Sequence, residues 1–450
     1  MNFISRKFAT AALTAAVASV LAFAPGVKGQ DRDHHSDSDD NQPANDNPWP
    51  YATTGKSPVL AVVGDVACQP DEDFVTGGGE AAHETCDTPK APYSSTSSTP
   101  PGPPFSLWQS QEATANQIEN MKPDAVALVG DLQYQVGQYQ DFEKSFDLTY
   151  GAFKFLHRPA PGNHEFYNEH SETGVAGYGY FSYYNGFQID GSGNPITTTV
   201  PDPCPPASAS ACSYPGLTTP IAQPVPRADG QAGHFELGTN KGLNGTGVGD
   251  GWYSYNLGGW HLISLNIECS TQPGGCSDSG AWFAAELTWL KKDLEENHSA
   301  CTLAYWHQPS YSAADSLSPE GTAALAFWQL LYQNNADLVL NGHDHLYARY
   351  RPLTPSGKYD PRKGIREFIV GTGGETLDTV VTTGTDAGAI FNAANIEAAT
   401  GNYWGVMALT LDPNGYKWDF ESSLELPGAP AGTYSDKGSG TCHGGPSWGW

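Results

Sequence analysis

The chain is short of positive charge, of membrane-spanning apolar runs and of thiolate motifs. Its 22 Lys and Arg face 49 Asp and Glu, a formal net charge of -27 at pH 7. No basic stripe exists that could neutralise a phosphate backbone, which argues against nucleic-acid binding. Any phosphate-bearing substrate would have to be drawn in by something local and strongly positive, and metal ions would serve. One long apolar run stands out, over residues 8–23, behind Arg6 and Lys7 and ahead of small residues. This reads as a secretory signal over residues 1–29, cut after Ala24 or after Gly29, and not as a membrane anchor. The mature chain is expected to be soluble, without a membrane anchor, and secreted to an extracellular or periplasmic space. The eight cysteines include no CxxC or other zinc-type spacing, so disulfides are the expectation for an exported chain. Closeness in sequence suggests Cys68 with Cys86, Cys204 with Cys212 and Cys269 with Cys276, leaving Cys301 and Cys442 to join a core strand to the tail. Sequence alone leaves that connectivity open.

What is present falls into a regular order. Residues 30–56 are acidic and rich in Asn, Asp and Pro, and are expected to be a disordered lead-in, with Asp33-His34-His35 part of a solvated tail. Val59–Val63 is a short apolar run that reads as a buried parallel strand and ends in Gly64-Asp65. A helix is expected over residues 105–121. A second strand over residues 125–129 ends in Gly130-Asp131, with Tyr134 three residues on, and a second helix is expected over residues 141–156. Pro161-Gly162-Asn163-His164-Glu165 follows. Residues 166–251 read as an elaborated loop region, with short strands around residues 179–184. Strands over residues 252–257 and 261–266 pair across Gly258-Gly259. A helix over residues 282–296 carries Phe283, Leu287, Leu290 and Leu294 on one face. A strand over residues 302–306 ends at His307. Ser318-Pro319 opens a helix to about Gln333. Leu338-Val339-Leu340 is a further buried strand, and it empties into Asn341-Gly342-His343-Asp344-His345. Residues 367–370 continue a sheet into Gly371-Thr372-Gly373-Gly374, and residues 406–411 and 416–421 form a hairpin. Two packed sheets flanked by helices is the natural assembly.

The chemistry lies where the strands end. Asp65, Asp131 with Tyr134, Asn163 with His164, His307, and His343 with His345 all follow strands or turns. One Gly-Asp turn is ordinary. Five such ends bearing Asp, Tyr, Asn and His point to a metal centre, because the carboxyl ends of strands are where α/β sheets present their chemistry.

These segments, VVGDVA, VGDLQY, PGNHEF, AYWHQP and NGHDHLYARY, resemble in order those of the purple acid phosphatases among the calcineurin-like metallophosphoesterases. The tail from Gly364 through Cys442 is similar to that of secreted bacterial-type members. The resemblance implies an α/β (α+β) fold, a four-layer αββα sandwich of two mixed β-sheets flanked by helices. It places the domain over residues 57–426, with residues 427–450 a C-terminal tail tied back by a disulfide. It implies two metal ions bridged by Asp131. Asp65, Asp131, Tyr134 and His345 would hold the first, and Asp131, Asn163, His307 and His343 the second. Carboxylate and phenolate oxygens suit Fe(III) at the first site, and imidazole and amide suit zinc, Fe(II) or manganese at the second. Many relatives carry Asp-x-His in the first motif. Here that position is Ala67, and Tyr134 supplies a replacement ligand, as in the purple branch. His164 corresponds to a substrate-contacting catalytic histidine, with Glu165 expected to orient it by hydrogen bonding.

The implied reaction is hydrolysis of a small phosphate monoester, with the metals lowering the pKa of a bound water whose hydroxide attacks phosphorus. His164 would stabilise developing charge or protonate the leaving group. A phosphodiesterase or nucleotidase using the same site is the alternative enzyme, and a non-catalytic secreted binding protein retaining the fold is the alternative outside catalysis. Gln308 departs from relatives that carry a second histidine after the metal-binding one. His157, His170, His234, His261 and His298 lie outside the motifs and are expected to be structural or exposed. Asp344 is left without a role, and Asn244 and Asn297 begin glycosylation sequons that otherwise mark surface.

Overall fold

Short β-rich apolar runs become strands here because both of their faces find apolar cover. In Val59–Val63 (β1), Leu60 and Val62 face one core while Ala61 and Val63 face another, and the same division recurs along Ala125–Val129 (β2). The structure is a computed structural model. It describes residues 56–70, 86, 107–167, 175–200, 221–237, 247–272, 274–277, 280–314, 318–381, 393–425 and 432–444. The expected signal, nearly all of the acidic lead-in, Cys204, Cys212, His170 and Asn244 lie outside these residues.

The remaining strands are His157–Ala160 (β3), Thr197–Val200 (β4), Ile221–Pro224 (β5), Phe235–Leu237 (β6), Gly247–Gly249 (β7), Tyr253–Leu257 (β8), Trp260–Ser264 (β9), Cys301–Tyr305 (β10), Leu338–Asn341 (β11), Tyr347–Tyr350 (β12), Arg366–Val370 (β13), Ile396–Thr400 (β14), Tyr403–Asp412 (β15), Gly415–Glu425 (β16) and Ser435–Thr441 (β17). Six form one sheet in the order β17-β16-β15-β1-β2-β3, and seven form a second in the order β14-β12-β13-β11-β10-β9-β8. Strands β1, β2 and β3 run parallel, as do β9, β10, β11 and β13, while antiparallel strands complete both sheets. Each sheet is therefore mixed, with a parallel part whose carboxyl ends gather at one edge.

Leu60, Val62, Ala127, Leu303, Leu340, Phe368 and Met407 fill the space between the sheets. Outside the first sheet, Leu107–Met121 (α1), a helical run over residues 139–156 and Tyr178–Asn185 (α2) cover Ala61, Val126 and Leu128. Outside the second sheet, Ala281–Glu296 (α3), Pro319–Ala323 (α4) and Leu325–Gln333 (α5) bury Trp282, Phe283, Phe327 and Trp328 against Ile263, Trp306 and Ile369. The result is four layers, αββα.

Several elements differ from the sequence expectation. The helix expected over residues 141–156 is a chain of short α, π and 3₁₀ turns, with a non-helical Phe153. Residues 179–184 are helical and not strands. All eight residues of α2 are buried, so packing overrides the strand preference of a Tyr/Phe-rich segment. Strand β3 contains Pro159 and stands at the edge of its sheet, where a missing N–H is tolerated. The segment expected to be a tail contributes β17, which pairs with β16, so the boundary set at residue 426 falls inside the sheet. Gly438 and Gly440 lie under the rings of Trp418 and Tyr416, where a Cβ would overlap them. The pairs Cys68–Cys86, Cys269–Cys276 and Cys301–Cys442 are disulfides. Among the described residues, no helix is long and apolar enough to cross a membrane.

Candidate metal centre

The first carboxylate comes from the end of β1. Asp65 is fully buried with φ 58°, and its backbone N–H donates to the Gly130 carbonyl at 3.0 Å. The second comes from the end of β2, where Asp131 has φ 48° and is 1% exposed. His343, after β11, has φ 69°. Left-handed backbone is uncommon for residues with a Cβ, and three of the five described examples are these site residues, Lys122 and Asn335 being the others. Packing forbids side chains at the neighbouring glycines. Gly130 has φ +92° and a Cβ there would overlap the His307 ring, while a Cβ on Gly162 would overlap the Asp131 carboxylate.

Seven donor side chains converge in two groups. In the first, the Tyr134 hydroxyl lies 3.1 Å from Asp65 Oδ1 and 2.9 Å from His345 Nε2, which is itself 3.3 Å from Asp65 Oδ1. In the second, Asn163 Oδ1 lies 3.1 Å from both His307 Nε2 and His343 Nδ1. Asp131 Oδ2 touches both groups, at 3.3 Å from the Tyr134 hydroxyl and 2.9 Å from His307 Nε2. The two histidines of the His-x-His turn thus face different groups. The His343 backbone N–H donates to both oxygens of Asp65, at 3.1 and 3.0 Å, and pins one group to the other.

Backbone carbonyls fix the rings. His307 Nδ1 lies 2.9 Å from the Val129 carbonyl and His345 Nδ1 lies 2.7 Å from the Thr376 carbonyl, leaving each Nε2 to face the cluster. His164 Nδ1 lies 2.6 Å from the Gln135 carbonyl, and its Nε2 stands 3.8 Å from Asp131 Oδ2. The His164 ring is held between Tyr134, at 4.2 Å between centroids, and Tyr167, at 4.8 Å.

Glu165 does not orient His164. Its Oε1 accepts the N–H groups of Leu132 and Gln133 at 2.8 and 3.1 Å, and its Oε2 accepts that of Gly162 at 2.8 Å. The carboxylate therefore ties the Asp131 turn to the Asn163 turn, and the Gln135 carbonyl orients the ring. Burial, with Asp131 nearby, pushes the Glu165 carboxyl up to about 8.

Ala67 and Tyr134 are physically linked. The Tyr134 N–H donates to the Ala67 carbonyl at 2.8 Å and a parallel bridge joins Ala67 to Gln133, so the Tyr134 ring enters the cluster from the segment bonded beside position 67.

Other residues of the site escaped the sequence reading. Asp344 is buried, and its Oδ2 accepts from Ala313 N at 2.6 Å, Ala314 N at 3.0 Å and Ser312 Oγ at 2.9 Å, anchoring the loop after His307. Asp378 Oδ2 accepts the His345 N–H at 2.8 Å. The glycine run after β13 was the available signal for the segment over residues 371–378. The outlying histidines described are structural or exposed: His157 is buried among aromatic rings, and buried His261 meets Asp293 Oδ2 at 2.6 Å.

The donor set suits cations on electrostatic grounds. Burial raises the Asp131 carboxyl, but the imidazoles of His307 and His164 bring it well below the usual carboxylate range. Burial lowers the His307 imidazole, yet the Asp131 carboxylate lifts it to about 10, and Asp65 likewise carries His345 well above its usual value. The buried carboxylates therefore call for positive charge at the very nitrogens that face them. Two cations, one among Asp65, Asp131, Tyr134 and His345 and one among Asp131, Asn163, His307 and His343, would supply it.

The profile of the family described as calcineurin-like phosphoesterase matches residues 59–347, more than half of the chain. The chain belongs to this family. Its domain takes in every donor residue named above, and purple acid phosphatases are among its relatives. It is 33% identical over 102 residues to purple acid phosphatase 15 of Arabidopsis thaliana, a match covering 22% of this chain and 18% of that one. It is 29% identical over 143 residues to purple acid phosphatase 18 of the same plant, covering 31% of this chain and 28% of the other. The matches thus span less than a third of these relatives. Among solved structures, the yellow lupin purple acid phosphatase aligns with 84% of this chain and 53% of its own, at 13% identity and a TM-score of 0.47. The family is one of phosphoester hydrolases, and a binuclear metal centre is what it implies at this site.

Proposed function

We propose that the chain hydrolyses small phosphate monoesters at a two-cation centre and does so outside the cytoplasm. The observation that carries this reading is the single carboxylate oxygen, Asp131 Oδ2, in contact with both donor groups. Bound there, the cations would neutralise phosphate charge in this acidic protein and lower the pKa of water. The side chains supply the rest. Asp131, with its second oxygen fixed by the His164 N–H at 2.9 Å, holds the two halves in register. With Nδ1 committed to the Gln135 carbonyl, His164 has Nε2 free of that bond to take up a proton and deliver it to the leaving-group oxygen. Gln308 cannot donate a proton as an acid, which leaves His164 with that role.

The phenol and two carboxylates of the first group favour Fe(III), and the imidazoles and amide of the second favour zinc, Fe(II) or manganese. Three disulfides among the described residues support an oxidising compartment. Metal analysis and a visible spectrum of the purified protein test the centre. Two metals per chain are expected, with a charge-transfer band that disappears in Tyr134→Phe. A colourless, active protein with two divalent metals would refute the iron assignment. Absence of phosphate release from an aryl phosphate would refute the function, and faster cleavage of a bis-aryl diester would make diesters the substrate class.

A further inference from the structure

We propose that Gln308 is a positioning residue that turns the oxygen end of the Asn163 amide toward the second group, where His307 and His343 stand. The inference rests on the two-cation reading above. The two ends of an asparagine amide are nearly equal in shape, but only the oxygen accepts hydrogen bonds or coordinates a cation. Which end faces inward is therefore decided by the neighbours. On the inner side, Gln308 Nε2 donates to Asn163 Oδ1 at 3.3 Å. On the outer side, Asn163 Nδ2 donates to the Tyr167 hydroxyl at 2.7 Å. A hydroxyl both donates and accepts, so Tyr167 tolerates either end of the amide. The carboxamide nitrogen of Gln308 only donates. A flipped Asn163 would set one NH₂ against another, and Gln308 thereby selects the orientation.

The orientation of Gln308 has its own cause. It is 2% exposed, on the turn directly after His307, and it lies beside the buried Glu268 carboxyl, which burial raises well above its usual range and Gln308 acts to lower. An NH₂ group has two hydrogens, so the bond to Asn163 Oδ1 leaves one to face the Glu268 carboxyl. Gln308 Oε1 is buried without a hydrogen-bond partner, a cost borne in directing the nitrogen at Asn163 Oδ1. The chain thus keeps a hydrogen-bond donor where relatives often carry a histidine, and uses it to orient a ligand.

The test uses the full chain, stripped of metal by chelation and titrated with Mn²⁺ by calorimetry, with circular dichroism confirming that each variant is folded. Wild type is expected to take up two equivalents. Gln308→Leu and Gln308→Met remove the donor at similar size, and should bind the second equivalent roughly ten- to a hundredfold more weakly. Gln308→His restores a donor and should recover affinity to within a few fold. Either donor-free variant, once shown to be folded, binding two equivalents at wild-type affinity would overturn the inference, as would a folded Gln308→His as weak as Gln308→Leu. A wild-type protein that fails to take up two equivalents would instead overturn the two-cation reading itself.

Discussion

His164 is held on four sides: its backbone N–H on Asp131, its Nδ1 on a carbonyl, and its ring between Tyr134 and Tyr167. None of these contacts makes it part of either donor group. His164→Ala should therefore retain two metals per chain while turnover falls by about 10²–10⁴, as metal analysis beside steady-state rates will determine. Asp131→Ala is expected to behave differently, since it removes the oxygen common to both groups. Metal content should drop below two and phosphate release should fall to background; full activity in this variant would sink the mechanism. Every residue assigned to these groups could be named from the sequence, because each sits at a strand end in a recognisable motif. The role given to Glu165 could not. A carboxylate beside His164 in sequence points instead at three backbone N–H groups, and only the folded turns bring those together.

At the scale of elements, strand ends carry the site and strand beginnings carry the fastening. Asp337, just before β11, accepts the Thr302 N–H of β10 at 2.9 Å and the His443 N–H of the C-terminal segment at 2.6 Å. Burial pushes its carboxyl up to about 6, from an ordinary value of 3.8, despite those bonds. The folded pKa lies above the unfolded one, so stability from this group is fully present below about pH 4 and lost as pH rises through 6. The loss should be on the order of 2 kcal/mol. Urea denaturation at pH 4 and pH 6.5 should show Asp337→Asn lacking that share of the pH dependence. The strands that sequence revealed, such as β1, β2, β10 and β11, are apolar on both faces. Those of the two large sheets that it did not reveal, β3, β12, β14 and β17, lack such a run. Strand β3 holds a proline, and β17 is Ser435–Thr441, with glycines where aromatic rings of β16 lie across it.

For the whole molecule, the long-range tie is Cys301–Cys442, which spans 141 residues and joins the start of β10 to the segment after β17. It lies at the opposite end of β10 from His307. Replacing both cysteines with serine should cost about 2–5 kcal/mol in urea denaturation, while the rate constant at 25 °C and the metal content stay unchanged. A fall in metal content would show that the tie supports the site after all. The formal charge of -27 acts at this scale too. It disfavours phosphate esters everywhere except where cations reverse the local field.

The sequence by itself determined the family, the strand-turn-ligand segments and the types of donor, because ligand chemistry is a property of side chains and their local turns. It also marked β1 and β11 as buried strands, because each is a short unbroken apolar run. Tertiary structure alone decided which donors share a group, since Asp65 and His343 are 278 residues apart and meet only when the parallel parts of two mixed sheets bring their carboxyl ends to one edge. It decided the left-handed backbone at Asp65, Asp131 and His343, a conformation that only the surrounding packing enforces. It likewise turned an aromatic segment into helix α2, because burial on every side outweighs local preference. The His-x-His turn shows both halves: its two imidazoles are written in the sequence, and their division between two groups is made by the fold.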